Sequence, residues 1–86
     1  MANELEKAQI MYKLARKNNW GAKYDRTEHF KRFPHLESCI YELRDINWLI
    51  LHKKAQFTGI SLNTAHKSEI IAFIEKHLPH LQGSLQ

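Results

Sequence analysis

Between Trp48 and Leu62 the apolar pattern changes period, and that change restricts the fold more than any other feature of the chain. Before it, apolar residues recur at helical spacing. Trp48-Leu-Ile-Leu-His-Lys and Phe57-Thr-Gly-Ile-Ser-Leu are instead short β-rich runs, with the polar stretch Lys53 to Gln56 between them. Two such runs joined by a short polar link predict a hairpin. In the second run Thr58, Ile60 and Leu62 share one face, while Gly59 marks a bulge or a close backbone approach.

Helical patterns surround this hairpin. From Asn3 to Asn19, Leu5, Ala8, Met11, Tyr12 and Ala15 repeat at helical spacing, with Asn3 as cap and Gly21 just past the end. Ile10 and Leu14 widen this stripe beyond what a simple surface helix needs. Either a second element covers the helix, such as the C-terminal helix, or the helix belongs to a homodimer interface. Trp20 to Tyr24 is a connector with room for one strand-like pairing. Asp25-Arg26-Thr27-Glu28 then reads as a helix start, capped by Asp25 or Thr27, of a brief helix that Pro34 closes at Phe33. Phe30 and Phe33 should face inward together. A third helix runs from Pro34 or His35 to Ile46 on the stripe Leu36, Cys39, Ile40 and Leu43. After the hairpin, Asn63 or Thr64 caps a last helix that buries Ile70, Ile71, Ile74 and Leu78, with Phe73 and Leu81 at its margin. Pro79 ends it.

The expected fold is therefore mainly α with a small β-hairpin (α+β), in the order helix, short strand, helix, helix, strand, strand, helix. Eighty-six residues allow one domain, assigned to 1–82, with 83–86 as a flexible tail. An apolar content of 43% is enough for a small core. The single cysteine excludes an internal disulfide framework and a Cys-based zinc cluster. The longest apolar run, Trp48 to Leu51, is far too short to cross a bilayer, and the acidic start Met-Ala-Asn-Glu-Leu-Glu does not read as a secretory signal. A cytoplasmic protein is the resulting expectation.

The stretch Leu36 to Asn63 carries a family resemblance: a helix ending in Glu42-Leu43-Arg44, then Asn47-Trp48-Leu49-Ile50-Leu51-His52-Lys53, then Gly59-Ile60-Ser61-Leu62-Asn63. It resembles the winged helix-turn-helix domain, in the form of the small prokaryotic, especially archaeal, regulators. With the first helix included, the similarity of pattern covers most of the chain. The second helix and the wing connection are both shorter than the pattern leads one to expect. The resemblance implies sequence-specific binding of double-stranded DNA, a role in transcription regulation, and a homodimer formed through the first and last helices.

In that architecture the third helix enters the major groove. Removing its buried stripe leaves Glu37, Ser38, Tyr41, Glu42, Arg44 and Asp45 outward, with His35 at the start. His35, Ser38, Tyr41 and Arg44 are the expected base-contacting residues, since their side chains match base-edge hydrogen bonding. The carboxylates oppose a polyanion, so Glu42 and Asp45 must point away. Positive charge is denser upstream, where Lys13, Arg16, Lys17, Lys23, Arg26, Lys31 and Arg32 face only Asp25 and Glu28 between Lys13 and His35. Lys23, Arg26, Lys31 and Arg32, with Lys53 and Lys54 at the wing tip, are the expected contacts to the DNA backbone. Two rival readings use the same residues. The acidic third helix suits a protein–protein interaction module, and Trp20 with Tyr24 suits a single-stranded nucleic-acid or RNA binder.

No enzyme, metal or cofactor is expected. The six histidines are scattered, and Pro79 separates the pair His77 and His80. Cys39 falls on an apolar stripe and reads as a buried hydrophobe. Gly21, Gly59 and Gly83 are isolated, so no phosphate-cradling loop is present.

Overall fold

The computed structural model describes residues 3–83. Helix α1 spans Glu4–Arg16, strand β1 Asp25–Arg26, helix α2 Leu36–Asp45, strand β2 Leu49–Lys53, strand β3 Thr58–Leu62 and helix α3 Lys67–His77. Single 3-10 turns lie at Thr27–Phe30, Thr64–His66 and Pro79–Leu81. The protein is thus a small α+β domain of three α-helices and a three-stranded antiparallel sheet in the order β1-β3-β2.

The hairpin forms where the change of period places it, with Leu49 opposite Leu62 and Lys53 opposite Thr58. Leu49, Ile60 and Leu62 are buried in the core. β1 pairs Asp25 with Ile60 and Arg26 with Gly59. Just upstream, Trp20 makes a parallel bridge to Leu62, fixed by Gly21 N–H to Leu62 C=O and Leu62 N–H to Asn19 C=O, each 2.9 Å. Asp25-Arg26 is therefore strand, not the start of a helix, and neither the Asp25 nor the Thr27 side chain acts as a helix cap. The expected second helix is only the 3-10 turn Thr27–Phe30. It still turns Phe30 and Phe33 into the core, because three residues per turn align positions i and i+3.

Both α1 and α2 stop at an asparagine. Asn18 (φ 61°) and Asn47 (φ 64°) take the left-handed conformation that short polar side chains tolerate best after glycine. In α1, Asn19 N–H reaches Leu14 C=O at 2.9 Å and Asn18 N–H reaches Ala15 C=O at 3.0 Å. In α2, Trp48 N–H reaches Leu43 C=O at 3.0 Å and Asn47 N–H reaches Arg44 C=O at 2.9 Å. Each is a Schellman ending that satisfies the last carbonyls. α1 therefore ends well before Gly21. At its other end, Asn3 is itself left-handed and its side chain caps nothing. Asn63 does cap as expected, accepting from Ala65 N–H at 3.0 Å ahead of α3.

The wide stripe of α1 is covered within the chain except at Leu5, which is 52% exposed. α1 packs against α3, α2 and β3, and Ile10 and Leu14 have no exposed surface left to offer a second copy. Of the expected tail, Gly83 N–H bonds the Glu75 carboxylate at 2.9 Å, and 84–86 lie outside the described residues.

Candidate nucleic-acid interface

α2 faces the core with Cys39, Ile40 and Leu43. One flank turns to α1, where the Lys7 ammonium, buried on the inward stripe of that helix, is ion-paired with Glu42. Glu42 is thus drawn off the outer face. Burial pushes the Cys39 thiol up to about 11, with the charge of Glu6 adding to it, so it stays protonated. The other flank turns to the hairpin. There Thr27, Leu36, Glu37, Ile40, Tyr41, Leu51, Lys53 and Thr58 line an open groove of about 210 Å³.

The expected base-contacting residues divide. Ser38, Tyr41 and Arg44 are exposed on α2, and the Arg44 guanidinium lies 4.9 Å from the centre of the Tyr41 ring. Asp45, 3.2 Å from Arg44, partly offsets its charge. His35 is committed elsewhere: its backbone N–H donates to Glu6 at 2.8 Å and its Nδ1–H to the same carboxylate at 3.2 Å. Glu6 thereby holds the first turn of α2 against α1.

The six expected backbone cations do not form one band. Lys53 lines the α2–hairpin groove. Arg26 and Lys54 sit over aromatic rings instead, Arg26 at 4.2 Å from Phe57 and Lys54 at 5.6 Å from Tyr24. Tyr24 lies across Gly59, where an added Cβ would stand 2.3 Å from the ring, and stacks on His52 at 4.7 Å. This explains the glycine: a side chain, not the backbone, is what approaches it. His52 Nε2–H donates to Ser61 Oγ (2.9 Å), whose own proton goes to Gly21 C=O (2.8 Å). Arg32 joins a different group, while Lys23 and Lys31 are simply exposed. Trp48 sits at the edge of the core against Phe73, 5.5 Å between ring centres, and Trp20 is half-buried beneath Lys67.

The cations that do converge are Lys13, Arg16, Lys17 and Arg32. Burial lowers the pKa of Lys13 below 10.5, and the charges of Lys17, Arg32 and Arg16 lower it further against the opposing pull of Asp25. Asp25 itself is held by His29 Nδ1–H at 2.6 Å and Arg26 N–H at 2.9 Å, with Lys17 3.5 Å from its second oxygen. Burial pushes the carboxyl pKa up, but those hydrogen bonds and the Lys17 charge outweigh it, leaving the group below 3.8. A carboxylate with a depressed folded pKa adds stability above its unfolded pKa and loses it as pH falls through the folded value. Asp25→Asn should therefore cost about 1 kcal/mol at pH 7 and less in acid below pH 3.8. Urea midpoints of both proteins in the two conditions check this, and a gap that does not shrink in acid would contradict it.

Among the described residues no group of three or more His, Cys, Asp and Glu is disposed to hold a metal ion, and no helix is long and apolar enough to cross a membrane. No protein-family model, curated protein or solved structure matches the chain.

Proposed function

We propose that this is a winged-helix-like domain that binds double-stranded DNA in a sequence-specific way, with α2 as the groove-entering helix and the β2–β3 hairpin as the wing, and that it serves as a small transcription regulator. One observation carries this reading. α2 presents Tyr41 in the groove beside the hairpin, with Arg44 over its ring and Ser38 exposed on the same helix; Lys53 and Glu37 also line that groove, and Lys7 draws Glu42 to the opposite flank. Hydrogen-bonding side chains on an exposed helix face suit base edges, and a flanking ammonium suits the neighbouring phosphates. The order of elements around α2 supports the same reading, with a single 3-10 turn in the place of the helix before it.

The combined change Arg44→Ala and Lys53→Ala is expected to weaken binding to the preferred duplex about tenfold to a hundredfold. The slope of log affinity against log salt should become shallower by about one. Fluorescence anisotropy with labelled duplexes over a range of salt measures both. Unchanged affinity and slope would remove α2 and the hairpin from the interface. The Tyr24–His52–Phe57 rings, with Arg26 and Lys54 over them, favour a second reading in which unpaired bases stack on the outer sheet face. Tighter retention of oligo-dT than of duplex in the same assay would select that reading.

A further inference from the structure

α1 and the Arg32–Pro34 segment enclose an open cleft of about 360 Å³, lined by Glu6, Gln9, Tyr12, Lys13, Arg16, Arg32, Phe33 and Pro34. Its two guanidinium groups are held by rings: Arg16 lies 5.6 Å from the Tyr12 centroid and Arg32 lies 4.7 Å from that of Phe33. Lys13 donates to the neutral carbonyl of His29 and rests over the Phe30 ring. None of these three cations is ion-paired among the described residues, since Glu6 is engaged with His35 and Asp25 with Lys17 and His29. Like charges gathered in a concave site, with Tyr12 and Gln9 able to donate hydrogen bonds, leave an excess of positive potential.

From this geometry we infer that the cleft is a binding site for a phosphate group, carried either by a small phosphorylated molecule or by a nucleic-acid backbone. A tetrahedral dianion would take donors from both guanidinium forks and from the ammonium. Its charge would offset the repulsion from Arg32 and Arg16 that adds to burial and Lys17 in lowering the Lys13 pKa. The aromatic walls pre-orient the guanidinium groups, so less side-chain freedom is lost when an anion arrives. The site also bears on α2, because Glu6 in the cleft wall bonds the backbone and ring of His35 at the start of that helix. An anion beside Glu6 acts on the same carboxylate that anchors α2. This inference stands on the cleft alone and does not need the DNA reading.

The test is an amide NMR titration of the ¹⁵N-labelled protein at constant ionic strength, with inorganic phosphate, a nucleoside monophosphate and a short duplex as separate ligands. Inorganic phosphate should give saturable shifts at Tyr12, Lys13, Arg32 and Phe33, half-complete at about 1 mM or below. The double variant Arg16→Gln, Arg32→Gln, altered only at exposed positions, should bind at least about tenfold more weakly. Lys23→Gln with Lys31→Gln, outside the cleft, should bind inorganic phosphate as the unaltered protein does. Shifts that never saturate, or that survive loss of both arginines, overturn the site. Saturation by the monophosphate with no response to duplex assigns the cleft to a small ligand and fails the DNA proposal alone. Joint movement of cleft and α2 amides with duplex assigns it to the backbone. Duplex binding with no response to either small phosphate fails the cleft proposal alone.

Discussion

Phe30→Ala should destabilise the domain by about 3–5 kcal/mol, close to the whole stability of a protein this small. Phe30 is fully buried and is the one residue by which the Thr27–Phe30 turn enters the core. Its ring meets Phe33 with 6.3 Å between centres, and Lys13 covers it 4.5 Å away. A four-residue 3-10 turn has too few internal hydrogen bonds to hold itself, so the ring holds it. Truncation leaves a cavity beneath the segment that positions α2. Thermal and urea unfolding report the loss, and Phe30→Leu, which keeps most of the volume, should recover more than half of it. A cost below about 1 kcal/mol would mean that this segment is not anchored through Phe30.

The second large effect concerns Lys7 and Glu42. The Lys7 side chain is 3% exposed and that of Glu42 40%, so the two partners are not equivalent. Glu42→Ala takes the facing carboxylate from a buried ammonium and should cost about 2–4 kcal/mol. Lys7→Met keeps the apolar stem in place and leaves Glu42 able to turn to water, so it should cost less than about 1.5 kcal/mol. The double variant should regain most of what Glu42→Ala loses. Urea midpoints of the four proteins form the thermodynamic cycle. If Lys7→Met proves the costlier single change, packing of the lysine stem rather than the ion pair holds α1 to α2.

The parts of the fold that could be read from the residues are those where local pattern and tertiary environment agree. The hairpin, the α2 stripe of Cys39, Ile40 and Leu43, and the α3 stripe of Ile70, Ile71 and Ile74 all form where expected. The segment from Asp25 to Phe33 misled for two reasons. Asp and Thr favour both caps and turns, and phenylalanines three apart fit a 3-10 turn as well as an α-helix. What decided Asp25-Arg26 was the free edge of β3, which no local signal announces.

The candidate site was legible in which residues are exposed but not in how they are arranged. Tyr41, Arg44 and Lys53 fall where the helix and hairpin patterns place them. The bonds from Glu6 to His35 and from Lys7 to Glu42 join residues 29 and 35 positions apart, beyond any helical or strand period. One clue was available: Lys7 lies on the inward stripe of α1, and Glu42 flanks the buried stripe of α2. Two misplaced charges of opposite sign on neighbouring apolar faces suggest each other. Arg16 and Lys13 belonged to the basic band, yet only the packing of Tyr12 and Phe33 shows that they meet Arg32 in a cleft.

The packing of α1 against α3 carries a consequence for biosynthesis. Ile10, Met11 and Leu14 are made before every element that covers them, and α3 is the last of those elements to follow. Until α3 emerges, that apolar surface has only partial cover, and closing the contact spans nearly the whole domain. Folding must then be completed after translation of the domain, with the apolar face of α1 open to chaperone capture in the meantime.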